Sequence, residues 1–162
     1  SVTISPSQHQ VLFVLKNIQM VAQLLQGTYP NYSQLIPKEF TTRTVMDTAE
    51  FLRAARTASI FARDASGIVR LQISPGGDLK PGKVVVSARA DEMGDNTAEI
   101  DATVEGAEAK IAFNSRYLME TLSVVREGQV ALETTTPSSP GVLRPLGQDG
   151  YLHVIMPMFV QW

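Results

Sequence analysis

The chain has no cysteine, one tryptophan and two histidines among its 162 residues. Without thiols there is no disulfide, no thiolate metal site and no cysteine nucleophile, a usage that fits a reducing compartment. Any metal would have to be held by carboxylates together with His9 and His153. Also missing is the run of roughly 18 apolar residues that a membrane-spanning helix requires. The opening SVTISPSQHQ has neither the basic start nor the apolar centre of a secretory signal. The expectation is therefore a soluble protein that is not exported and has no membrane partner. An excess of positive charge is lacking too, since 14 Lys and Arg face 16 Asp and Glu for a net charge of -2. Bulk attraction to nucleic acid is excluded, and any such binding has to come from locally placed basic residues.

What is present is the composition of a globular protein, 44% hydrophobic and 19% charged, with enough mass for one good core. Strand signals dominate the pattern. Val2-Thr3-Ile4, Val11 to Leu15 and Ile18 to Leu25 are rich in β-branched and large apolar residues and read as a small antiparallel meander. Gly27-Thr28-Tyr29-Pro30-Asn31-Tyr32 breaks it, and a strand resumes at Thr41 to Met46. Further strands are read at Ile68 to Ile73, Lys83 to Ala90, Thr97 to Val104, Ala109 to Phe113, Gln129 to Thr134, Gly141 to Leu146 and Tyr151 to Met156. Two helices interrupt the β pattern. Asp47-Thr48-Ala49-Glu50 is a capping-box pattern that opens a helix from about Thr48 to Ala62. Asn114-Ser115 opens a second one through Leu118, Leu122 and Val125, which Gly128 stops. This order describes an α+β protein with two helices on one face of antiparallel sheet. Residues 2–37 share the plan of 130–157, so the chain reads either as the end of one copy of a fold followed by a complete second copy, or as a single α+β domain.

On a helical wheel at about 100° per residue, Phe51, Ala55, Ala58 and Ala62 form the face expected to meet a sheet. Arg53, Arg56 and Arg63 fall on roughly the opposite side and form a basic stripe. That stripe is either an ordinary solvated face or a sequence-independent surface for phosphates. In the second helix Arg116 and Arg126 are basic, with Glu120 between them.

Catalytic patterns are missing. Neither His9 nor His153 stands near a carboxylate motif, so each is expected at a surface or edge. Asp91-Glu92 and Glu99 with Asp101 are the available acids, but a polar loop and an alternating strand are where acids commonly face solvent. Ser138-Ser139 lies between prolines without the glycines of a nucleophile elbow, and Gly76-Gly77 lacks the lysine and helix of a phosphate loop. No enzyme, cofactor or metal site is expected.

Particular stretches carry a family resemblance. Phe113-Asn114-Ser115-Arg116-Tyr117-Leu118, then Thr136-Pro137-Ser138-Ser139-Pro140, Leu143-Arg144-Pro145 and Tyr151-Leu152-His153-Val154-Ile155-Met156-Pro157-Met158 resemble the end of the bacterial DNA polymerase III beta subunit, the replicative sliding clamp. Glu50-Phe51-Leu52-Arg53-Ala54 with Ala58-Ser59-Ile60-Phe61-Ala62-Arg63 is similar to the first helix of that family's third domain. Leu24 to Tyr32 through Leu35-Ile36-Pro37 is similar to the segment that ends its second domain.

The resemblance implies a sliding-clamp fold, with residues 1–38 the end of the second clamp domain and 39–162 the third, so that the chain is a fragment. It implies a non-catalytic processivity factor, a homodimeric ring around duplex DNA that tethers the replicative polymerase in the bacterial cytoplasm. Arg53, Arg56, Arg63 and Arg116 would then face DNA, and Ile60 and Phe61 would lie at the ring interface. A hydrophobic groove would take short peptides from the polymerase III alpha subunit, the clamp loader and repair polymerases. Its matching positions are Pro30, Gln34 and Leu35, Asn114 and Tyr117, Ser138 and Pro140, and Val154, Met156, Pro157 and Met158. Gln34 stands where the family often has arginine, and Phe159-Val160-Gln161-Trp162 replaces its usual short ending. The other reading kept open is a free-standing peptide-binding module that does not encircle DNA.

Overall fold

The computed structural model describes residues 1–5, 9–29, 31–63, 67–77, 80–90, 94–125, 128–148 and 150–162. They form two units, Ser1–Tyr32 and Ser33–Trp162. In the first, β1 (Val2–Ile4), β2 (Gln10–Val14) and β3 (Gln19–Gln23) make an antiparallel meander. Val11 is its buried hydrophobic residue, while Val2, Ile4, Met20 and Val21 stay exposed.

The second unit runs β4 (Thr42–Asp47), α1 (Thr48–Ala62), β5 (Ile68–Ser74), β6 (Gly82–Ala90), β7 (Gly94–Gly106), then β8 (Ala109–Asn114), α2 (Ser115–Val125), β9 (Gln129–Thr134), β10 (Gly141–Pro145) and β11 (His153–Ile155). The same strand-helix-three-strand plan occurs twice. All pairings are antiparallel in the order β11-β10-β9-β4-β7-β6-β5-β8. β4 sits between β9 and β7 and so joins the two halves. β7 is shared along its length: Gly94 to Ala102 pairs with β6, while Thr103 to Gly106 pairs with β4.

Alternation along the strands puts one set of side chains under the helices. On β6, Val84, Val86 and Ala88 are buried, and Leu71 and Ile73 of β5 join them. Helix α1 adds Phe51, Ala54, Ala55, Ala58 and Ala62, whose small side chains let it lie close to the sheet and to α2. Phe113, Leu118 and Leu122 complete the same core from β8 and α2.

The start of α1 is fixed locally. Asp47 is extended, and its carboxylate accepts the Glu50 N–H at 2.9 Å. The Glu50 carboxylate pairs with Arg53 at 3.7 Å, an alternative to reaching back to Asp47, so half of the expected capping box is formed. Removing this cap by Asp47→Ala is expected to destabilise the fold by about 1 kcal/mol, read as a lower denaturant midpoint with unchanged slope.

Candidate functional site

The outward side of α1 presents Arg53, Arg56 and Arg63, all exposed. Arg53 is paired with Glu50 one turn earlier, and among the described residues no acid pairs with Arg56. Arg63 caps the helix, its backbone N–H bonded to the Ser59 carbonyl. On α2, Arg116 Nε donates to Glu120 Oε1 at 2.8 Å, and this hydrogen bond raises the guanidinium pKa further above its ordinary value. Exposed pairs of this kind contribute little and are screened by salt, so both arginines remain open to a competing anion. At the end of α1, Ile60 is exposed, whereas Phe61 is half-buried against the core.

A second feature lies between α2 and β11. The hollow there has a volume of about 380 Å³ and is lined from the helix by Tyr117, Glu120, Thr121 and Val124. Its opposite wall is Tyr151 and His153 to Met156. Tyr117 and Met156 are each 59% exposed, a large amount of apolar surface to leave in water. Of the positions expected at a groove, Tyr117, Val154 and Met156 meet here. Asn114 acts one step back: its side-chain oxygen accepts the Arg116 N–H at 3.0 Å and so caps α2.

The remaining positions lie elsewhere. Gln34 and Leu35 are exposed at a 3₁₀ turn, Tyr32–Gln34, and its end, and Pro30 lies outside the described residues. Ser138 is exposed and Pro140 half-buried in the turn between β9 and β10, where the Ser138 hydroxyl is 3.3 Å from that of Thr136. Pro157 and Met158 are half-buried beyond β11, and the Met158 N–H donates to the Ala112 carbonyl at 2.7 Å.

Sequence reasoning missed Glu120, Thr121 and Val124, although they recur with Tyr117 at i, i+3, i+4 and i+7. That second stripe was readable beside the core stripe Leu118, Leu122 and Val125. His153 lies on β11, the edge strand of the sheet, as a surface or edge residue should.

The acids form no catalytic cluster. Glu99 and Asp101 are exposed on β7, and Glu99 pairs with Lys83, whereas Asp91 and Glu92 lie outside the described residues. Among the described residues no three His, Asp or Glu side chains are placed to hold a metal, and no helix is long and apolar enough to cross a membrane.

Known proteins resemble this chain in sequence and in fold. The beta sliding clamp of Staphylococcus aureus is 33% identical over 153 residues, covering 94% of this chain and 39% of its own length. The beta sliding clamp of Staphylococcus epidermidis is 31% identical over the same spans. The DNA polymerase sliding clamp from Bacillus subtilis superposes with a TM-score of 0.83 at 28% identity, over 99% of this chain and 41% of that one. The chain thus spans 39% of the curated relatives it matches. Residues 33–159 match the family model described as DNA polymerase III beta subunit, C-terminal domain, and the chain belongs to that family.

Proposed function

We propose that this chain supplies the end of the second domain, residues 1–38, and the whole third domain, residues 39–162, of a ring-shaped clamp that encircles duplex DNA and tethers the replicative polymerase. The observation that carries this reading is the stripe Arg53, Arg56 and Arg63 on the outward side of α1. Guanidinium groups on long exposed stems meet phosphates without reading bases. Each contact is weak and exchangeable, which lets a ring hold DNA and still slide. Arg116 adds to the same role from α2.

Ring closure has a physical basis in β7. Among the described residues, no strand pairs with its outer edge from Gly94 to Ala102, so its backbone groups are available to a strand of another subunit. Ile60, exposed near the end of the helix that packs on β7, and Phe61 supply apolar contact for such a homodimer. The hollow between α2 and β11 is the docking site for short peptides of the polymerase III alpha subunit, the clamp loader and repair polymerases. The chain performs no catalysis, needs no cofactor, and acts in the bacterial cytoplasm.

The test is the salt dependence of binding to closed circular duplex DNA, with full-length protein carrying Arg53→Ala, Arg56→Ala and Arg63→Ala together. Each lost phosphate contact should reduce the slope of log affinity against log salt by about 0.9. Unchanged slope and affinity would return the stripe to a solvated face and leave a peptide-binding module that does not encircle DNA.

A further inference from the structure

Past β11 the chain continues from Met156 to Trp162, with Met156 59% and Trp162 46% exposed at its two ends and an alternating stretch, 158–161, between them. Met158 and Val160 are half-buried, while Phe159 is 84% exposed and Gln161 is exposed. Period-two alternation of this kind belongs to an extended strand lying on a surface. Two contacts say which surface it is. The Met158 N–H bonds the Ala112 carbonyl, and Lys110 Nζ sits 5.7 Å from the centre of the Trp162 ring. As the segment advances from 158 to 162 its partners on β8 fall from 112 to 110, so it runs antiparallel to β8.

β8 is the last strand in the sheet order, and its other edge is already taken by β5. Ala112 is 1% exposed, yet it stands outside the core that its neighbours Ile111 and Phe113 join. The segment 157–162 lies where it can account for that burial. The contact also ties together the two walls of the hollow. Asn114, two residues after Ala112, caps the helix that carries Tyr117, and Met156, two residues before Met158, faces Tyr117 across the hollow.

We infer that Pro157 to Trp162 is a strap that closes the β8 edge and links the walls of the hollow, so that filling the hollow is felt at Trp162. The coupling rests on the groove reading above, whereas the strap does not. Trp162 is the chain's one tryptophan, so its fluorescence reports the strap directly.

Lys110→Gln removes the cation and should raise acrylamide quenching of Trp162 roughly twofold, while Lys110→Arg keeps it near the native value. Trp162→Ala should speed hydrogen exchange at the Met158 amide by about tenfold. Native quenching in Lys110→Gln, together with an unprotected Met158 amide in the unsubstituted protein, would overturn the strap.

For the coupling, a labelled tryptophan-free peptide from the polymerase III alpha subunit is titrated while Trp162 emission is followed. A shift that saturates with binding supports it. Binding by anisotropy without any change at Trp162 overturns the coupling and leaves the groove standing. Absence of binding removes the groove reading and the coupling together.

Discussion

Gly106→Ala is expected to destabilise the fold of the unit Ser33–Trp162 by about 3 kcal/mol, from backbone strain and overpacking together. For a chain of this size that lowers Tm by roughly 6–12 °C, measured by thermal denaturation. Gly106 ends β7 with a φ of 100°, in the region that side chains with a Cβ rarely adopt. An added Cβ would also run into the Thr41 carbonyl. Thr41 has little room to yield. Its N–H bonds the Thr134 carbonyl at 3.0 Å, and its hydroxyl donates to the Thr135 carbonyl at 2.8 Å. Its neighbour Thr42 is paired in register with Gly106 on one side and Thr134 on the other. Gly94→Ala separates the two effects, because Gly94 has a φ of 89° with open space around it. That variant should lose only about 1 kcal/mol of stability, from strain alone. Equal losses at the two glycines would show that the crowding against Thr41 relaxes freely.

The second large effect is expected at the hollow. Tyr117→Ala and Met156→Ala should each weaken binding of a polymerase III alpha-subunit peptide by about 30-fold, the range of an anchoring side chain removed from the centre of an interface. Both side chains are more than half exposed, so truncating either should leave Tm almost unchanged. Affinity loss without stability loss is therefore the signature of a docking surface. Met156 is the better probe of promiscuity, since an unbranched thioether repacks around different apolar ligands. Replacing it with leucine should narrow the set of peptides bound more than it weakens the best one. Fluorescence anisotropy with labelled peptides measures both, and native affinity in the two alanine variants would move the docking site elsewhere.

Helix α1 was legible from the sequence because its cues are local. Asp47 marks the start, the alanines mark the buried side, and the expected span 48 to 62 is the one formed. Strand positions were also legible from alternation, to within a few residues at most ends. The pairing was not. Nothing in Thr42 to Asp47 announces that one edge meets β7 and the other β9, because that choice depends on residues far along the chain. β7 was read too short for a related reason: Asp95 and Asn96 look like loop residues, yet pair in register with Arg89 and Ala88 of β6. At the candidate site, Tyr117, Val154 and Met156 came from the family resemblance, whereas the helical stripe through Val124 was present in the spacing and was overlooked. The place of Trp162 was not legible either. Its partner is Lys110, a contact between separate parts of the chain that no local pattern encodes.

The position of β4 sets the order in which this domain can assemble. Thr42 needs Gly106 on one side and Thr134 on the other before its strand is complete. During synthesis from the N-terminus, β4 can pair with β7 once the first half has emerged, but its other edge stays open until β9, in the second half, has followed. Closing such long loops is the slow part of forming a β topology, so the late event in folding is the capture of β4 by β9. Until then the exposed edge of β4 is the place where two nascent chains would join by mistake.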